Sequence, residues 1–381
     1  MDPENQIYRE LQKHLDNKLP SGFPSTKSGA EIRLLKRVFT PEEAKVAIQL
    51  SMRPEPLKRI YKRVKKSGMS LEELQKLLDR MAHKGTLLVK EEGYDEKRYS
   101  NVGFGAGGTY DFQVDRLTED LIKDFHQHLG ETSAARKKRS ILPLRTIPVE
   151  KSIPLPEKYQ VSSYDNVRKI VENAPGPIAV ANCVCRQGKD LIGERCTKTD
   201  LRETCLMIGP EHAKRYVEMG IGRYITKEAA LDILAKVQEA GLVLQPENSL
   251  RPEAICCCCG DCCALFSTIK HHPRPAVLYA TNYYAEVDLE LCTGCETCID
   301  RCQLEALSMV NGVAKVNLDR CIGCGNCVVI CPVNAPQLKK KEKETVPPKD
   351  KESYNMKVLS YKVGKWNLIK IRTRMLLGLR V

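Results

Sequence analysis

Between residues 292 and 331 the sequence twice sets four cysteines at the spacing C-x2-C-x2-C-x3-C: Cys292, Cys295, Cys298 and Cys302, then Cys321, Cys324, Cys327 and Cys331. An apolar core has no use for thiols at such density, so the chain must fold to make sulfurs converge. A second concentration, CCCCGDCC at 256–263, puts six cysteines in eight positions, and Cys183, Cys185, Cys196 and Cys205 bring the total to 18. The N-terminal MDPENQIYRE is charged from its second residue and lacks an apolar signal region. No stretch is apolar over the length a bilayer span requires. A cytoplasmic setting is therefore expected, where clustered thiols bind metal or do redox chemistry instead of pairing as disulfides.

The duplicated run is the ligand pattern of a two-cluster bacterial ferredoxin, which this part of the chain resembles. Three cysteines on a tight loop can meet three corners of one cubane, and the fourth leaves on the following helix. By that resemblance Cys292, Cys295, Cys298 and Cys331 hold one [4Fe–4S] cluster, and Cys321, Cys324, Cys327 and Cys302 hold the other. Zinc also uses paired C-x2-C, but it needs four ligands and leaves the third cysteine of each triplet idle. Gln303 follows Cys302 where the ferredoxin pattern has proline; that position shapes a turn and supplies no ligand.

The other ten cysteines point to further metal. Residues 178–186, IAVANCVCR, read as a strand, which would send Cys183 and Cys185 from one face about 6.5 Å apart. With Cys196 and Cys205 they give C-x-C-x10-C-x8-C, enough for one complete site. In extended chain Cys256 and Cys258 face one side, Cys257 and Cys259 the other, and Gly260 lets the backbone return Cys262 and Cys263 toward the first group. Either four of the six bind one cluster, or the set is shared with Cys183, Cys185, Cys196 and Cys205. Cys258-Cys259-Gly260 is also similar to the Cys-Cys-Gly ligands of noncubane clusters in heterodisulfide reductases, without the rest of that domain's spacing. The candidate ligands of this region are Cys183, Cys185, Cys196, Cys205, Cys256, Cys258, Cys259, Cys262 and Cys263.

Together these marks resemble a family of multidomain ferredoxin-like proteins of anaerobic bacteria. C-x-C-R, G-x-x-C and E-x-C are matched by Cys183, Cys185, Arg186, Gly193, Cys196, Glu203 and Cys205. The CC-rich run follows at 256–263, and AEVD at 285–288 joins it to the ferredoxin segment. The resemblance implies electron transfer through two ferredoxin-type clusters and one or two more.

The N-terminal third is patterned differently. VFTPEEAKVAIQLSM offers Thr40 as N-cap ahead of Pro41. LKRIYKRVKKSG sets Leu57, Ile60, Tyr61 and Val64 on one face. MSLEELQKLLDRMAHKG opens with Ser70 and Glu73 as a capping box over buried Leu71, Leu74, Leu77, Leu78 and Met81. Two strands then flank a Gly-containing turn over 86–102. Helices followed by a two-stranded wing resemble a winged-helix domain. Gly103, Gly105 and Gly108 match G-x-G-x-x-G, but they follow a charged hairpin and open no helix, so a connector is expected there, not a nucleotide loop. His126, His128, His271 and His272 read as surface residues. Thr226 caps a helix that Gly241 stops.

The expected fold is α+β: a winged-helix-like domain over 1–135, a solvated linker over 136–160, and a cysteine-rich α/β domain over 161–286. A two-cluster ferredoxin domain of βαββαβ type follows over 287–340, then a basic tail over 341–381. The net charge of +13 sits mostly in that tail: 337–381 carry 13 Lys/Arg against 4 Asp/Glu, whereas 1–135 carry 23 against 21. Duplex binding depends on neutralising phosphates, so this balance speaks against a nucleic-acid partner. It favours an electron-relay subunit serving a redox partner or a multisubunit oxidoreductase over an iron–sulfur-dependent DNA-binding regulator. No arrangement for hydrolysis stands out. The tail, with seven Lys/Arg and Trp366 among Leu and Ile over 355–381, suits docking to a partner or to the inner face of a membrane.

Overall fold

The computed structural model describes residues 3–91, 93, 95–105, 107–137, 141–153 and 161–376. The chain divides into two compact units, 1–136 with 218–221 and 355–381, and 137–217 with 222–354. Among the described residues no helix is long and apolar enough to cross a membrane.

The first unit opens with helices α1 (Pro3–Lys18), α2 (Ala30–Val38) and α3 (Pro41–Ala47), and continues through β1 (Glu55–Pro56), α4 (Leu57–Val64) and α5 (Leu71–His83). Strands β2 (Leu87–Lys90) and β3 (Arg98–Asn101) form the expected hairpin, and β1 adds to its outer edge through Glu55 opposite Tyr99. Thr40 and Ser70 both form complete capping boxes, with Glu43 and Glu73. Leu11, Leu34, Leu35, Leu50 and Ile60 make the dry interior. Three expectations change. Leu71 is 37% exposed, because it opens its helix at the surface. The glycine segment is a packed turn: a side chain on Gly108 would meet the Gly103 carbonyl at 1.9 Å, and Phe104 and Tyr110 are buried beside it. His128, on α6 (Glu119–Lys137), is buried and not a surface residue; its Nε2 shares a 3.0 Å hydrogen bond with the Pro24 carbonyl, and its ring stacks on Phe23.

The second unit is built on a five-stranded antiparallel sheet. After α7 (Val167–Glu172), its strands are β4 (Ile178–Asn182), β5 (Glu203–Ile208), β6 (Arg223–Ile225), β7 (Val243–Pro246) and β8 (Ala254–Cys258), in spatial order β6-β4-β5-β8-β7. Helices α8 (Val184–Leu191), α9 (Pro210–Glu218) and α10 (Lys227–Glu239) connect them, and Thr226 caps α10 as expected. One core joins Ile170 and Val171 of α7 and Leu234 and Val237 of α10 to Val180, Leu206 and Ile255 of the sheet, with Cys196, Cys257, Cys259 and Cys262 in it. The opposite face gathers Cys258, Cys263, Phe266, Leu304 and Ile322. The segment expected as a solvated linker instead runs along β7: Ile147 donates to the Leu244 carbonyl at 3.2 Å, and Arg145, Ile147 and Val149 are buried. Residues 138–140 and 154–160 of that segment lie outside the described residues.

After α11 (Ala264–Lys270), the element order is β9 (Tyr283–Val287), α12 (Thr297–Asp300), β10 (Leu307–Val310), β11 (Val313–Val316), α13 (Asn326–Ile330) and β12 (Pro336–Lys340). Strand β9 pairs with β12, Ala285 opposite Leu338, and β10 with β11. Each cysteine run bends through left-handed backbone at equivalent places, Gly294 and Glu296, then Gly323 and Gly325. Glycine at 294 and 323 is needed twice over, for the positive φ and because a side chain would stand 2.4 Å from the Gly312 carbonyl and 2.2 Å from that of Tyr283.

Helix α14 (Lys351–Leu376) breaks at Gly364, whose φ of 76° and ψ of 163° are not helical. Before the break Val358 and Leu359 are buried; after it Trp366 is 82% exposed.

Candidate metal centres

The tight turns of the duplicated run aim three sulfurs inward, and the helix after each carries the fourth across to the other triplet. Cys292, Cys295, Cys298 and Cys331 line one cavity. Cys302, Cys321, Cys324 and Cys327 line a second, closed by Leu304, Ile322 and Val243. Backbone amides point at three of these sulfurs: Ala314 at Cys292 (3.4 Å), Ala285 at Cys321 (3.3 Å) and Ala306 at Cys302 (3.2 Å). An amide directed at sulfur is favourable chiefly when the sulfur carries charge, as a metal-bound thiolate does. Burial pushes the Cys324 thiol up to about 12 and raises Cys298, Cys321 and Cys327 as well. Such thiols ionise only with a cation to bind them. Cys295 differs: it is exposed, and the Thr297 hydroxyl draws its pKa down.

In the middle of the unit the structure rearranges the expected sets. Strand β4 stops at Asn182. Cys183 caps α8 and Cys185 lies in its first turn, so the two do not share a strand face, although their thiols are hydrogen bonded. The strand ends early because the Cys183 amide is taken by the Arg202 carbonyl, at 2.8 Å, where the β4–β5 register shifts. Cys183, Cys185, Cys196 and Cys205 do not gather into one site. Cys185 hydrogen bonds to Cys263, Cys263 to Cys258, Cys258 to Cys256, and Cys256 to Cys205 on β5. Cys196 joins Cys259, Asp261 and Cys262, all four ligand atoms lying within 4.8 Å of one another. The turn at Gly260 therefore does not return both later cysteines to the first group. It delivers Cys263 to Cys258 and Cys262 to Cys259.

In the first set hydrogen bonds from Cys185 and Cys258 bring Cys263 down to about 6, and those from Cys205 and Cys258 hold Cys256 well below the ordinary thiol value; in the second, one from Cys262 brings Cys259 down to about 6. Cys257, raised by burial in the apolar core, stays outside both sets.

Arg186 stands between the two sets with no exposed surface. Its Nη1 donates to the Cys257 carbonyl at 3.0 Å and to Cys259 Sγ at 3.7 Å, and its Nη2 to the Thr204 hydroxyl. Burial alone would lower its pKa, but the Cys183 and Cys259 sulfurs reverse that and hold it above the ordinary arginine value. Its buried Nε has no hydrogen-bond partner among the described residues. A buried cation with sulfur beside it fits an anionic thiolate–metal centre, so the donor sets suit the metal the sequence implies.

Sequence reasoning gave Gln303 no role beyond its turn and did not place Asp261 among the candidate ligands. The Gln303 side chain donates to the Gly241 carbonyl (3.0 Å) and accepts from the Gly260 amide (2.6 Å), which proline could not do. It thus ties the turn after Cys302 to the middle of CCCCGDCC. The departure from proline was visible, but its partners lie 43 and 62 residues away.

No curated protein and no solved structure matches the chain. Residues 285–332 match the family model described as a 4Fe-4S dicluster domain. That match, with the two facing cysteine quartets, makes this part of the chain a ferredoxin-like, 4Fe-4S-binding module that supports an iron–sulfur electron-transfer role.

Proposed function

We propose that the protein is an electron relay that passes electrons between a donor and a partner oxidoreductase through at least three iron–sulfur clusters. Cys292, Cys295, Cys298 and Cys331 hold one, and Cys302, Cys321, Cys324 and Cys327 the second. Cys183, Cys185, Cys258 and Cys263 hold a third, with Cys205 and Cys256 hydrogen bonded alongside. When bound, such clusters exchange single electrons at potentials tuned by burial and by hydrogen bonds to sulfur.

The observation that carries this reading is the seam at Gln303. It fixes the Cys302 turn against Gly260, while Cys258 and Cys263 share an apolar core with Leu304 and Ile322 of the ferredoxin-like module. The third set is thus packed against the ferredoxin-like module through a buried apolar seam, as a relay requires. Exposed Cys295 offers the outer cluster to a partner.

The N-terminal unit, with α4, α5 and the strands β1-β3-β2, has the element order of a winged helix and serves as a docking module. Helix α5 carries Glu72, Glu73 and Asp79, which oppose phosphate, so the regulator reading has the weaker support.

Iron and sulfide analysis of anaerobically reconstituted full-length protein tests the proposal, with about 12 Fe per chain expected at four per cluster. About 8 Fe, with Cys258→Ala changing nothing, would remove the third cluster and the relay with it.

A further inference from the structure

We infer that Cys196, Cys259, Asp261 and Cys262 form a separate mononuclear site for a tetrahedral divalent cation of the zinc class. A shell with metal–sulfur bonds of about 2.3 Å and metal–oxygen bonds of about 2.0 Å has S···S edges of about 3.8 Å and S···O edges of about 3.5 Å. Cys196 Sγ lies 3.8 Å from Cys259 Sγ and 3.5 Å from Asp261 Oδ1. These are the edges of one ion's shell. A cubane distributes its thiolates over four irons and needs them further apart. The same structure supplies the comparison: among the described residues this is the one group of three or more ligating side chains gathered within 4.8 Å, and neither ferredoxin-like quartet is drawn so close.

The three thiols are enclosed, and Asp261 completes the site from its exposed side. Cys196, Cys259 and Cys262 are buried in apolar core. The Thr197 amide and hydroxyl hold Asp261 Oδ2 at 2.7 and 3.1 Å, which turns Oδ1 toward Cys196. Orientation of a ligand carboxylate through its second oxygen is common at metal centres. Arg186, 3.7 Å from Cys259 Sγ, offsets the negative charge that three thiolates and a carboxylate leave around a divalent ion. Binding releases the thiol protons and fastens the loop at 192–202 to the Gly260 turn.

The site does not depend on the relay reading, and metal analysis separates the two. Full-length protein purified anaerobically from medium containing iron and zinc should hold about one Zn per chain beside its iron. Asp261→Ala and Cys196→Ser should each lose zinc while keeping iron and sulfide, and Cys295→Ala should lose iron while keeping zinc. Thr197→Val, a positioning variant, should weaken zinc binding about tenfold in chelator competition. Cobalt loaded in place of zinc should show the visible bands of tetrahedral thiolate coordination. Iron and sulfide lost together from Asp261→Ala or Cys196→Ser would place a cluster here and overturn the inference. So would wild-type protein that contains no zinc and gives no tetrahedral cobalt spectrum.

Discussion

At the scale of single residues, the chain keeps its polar groups where a specific partner waits. His212 on α9 is buried, and desolvation, joined by the charges of Lys351 and Arg215, holds its pKa well below the ordinary 6.5. Above that value folded and unfolded chains both carry neutral imidazole. As the pH falls below it, the unfolded chain takes up a proton that the folded one refuses, and stability declines by up to about 1.4 kcal/mol per pH unit. His212→Leu should flatten that acid limb relative to wild type in thermal unfolding measured from pH 7 down to about pH 5. Gln303→Ala leaves the buried Gly260 amide without its acceptor, a loss of about 1–3 kcal/mol. The expected result is a lower unfolding temperature with both ferredoxin-type clusters still visible by electron paramagnetic resonance; an unchanged temperature would mean that the seam is slack.

Among the elements, local signals were readable and long-range ones were not. Thr40, Ser70 and Thr226 cap the helices assigned to them because a cap involves only three or four neighbouring residues. The facing of Cys257 and Cys258 to opposite cores follows equally from the alternation of extended chain. By contrast, the end of β4 at Asn182 and the sorting of Cys196 away from Cys185 depend on contacts across tens of residues. So does the fate of 141–149, whose proline-rich composition suggests solvent yet whose Arg145 forms a buried ion pair. Arg145 Nη1 meets Asp165 Oδ1 at 2.6 Å, and Asn282, just before β9, donates to the other oxygen at 2.8 Å. Desolvation raises the Asp165 pKa and lowers that of Arg145, so the pair stands only as a pair. Arg145→Met alone should destabilise the protein by about 3–5 kcal/mol, and adding Asp165→Leu should restore much of the loss, as followed by denaturant unfolding of the reconstituted chain.

For the molecule as a whole, charge and apolar surface separate. The body is nearly balanced, whereas 337–381 have a net charge of +9. Within that segment Val358 and Leu359 are buried, and Lys362 donates to the Leu19 carbonyl at 2.9 Å. Tyr361, Trp366 and Ile369 are exposed. The exposed Trp366 and Ile369 put the candidate docking surface of the tail beyond Gly364. Truncation after Val363 should leave the iron content and unfolding temperature unchanged while weakening association with the redox partner or with anionic vesicles. Equal binding by the truncated and full chains would deny the tail both roles.

The turn at Gly260 bears on how the protein matures. Cys258 and Cys259 are neighbours that serve opposite faces, and so are Cys262 and Cys263. Whichever occupant arrives first immobilises the backbone on which the other depends, and the second then meets ligands already ordered. By reciprocity each occupant tightens the hold on the other. Each face still takes its own occupant, but a chain short of one should hold the other less tightly, so the iron on the neighbouring face should yield sooner to a chelator when the zinc is missing.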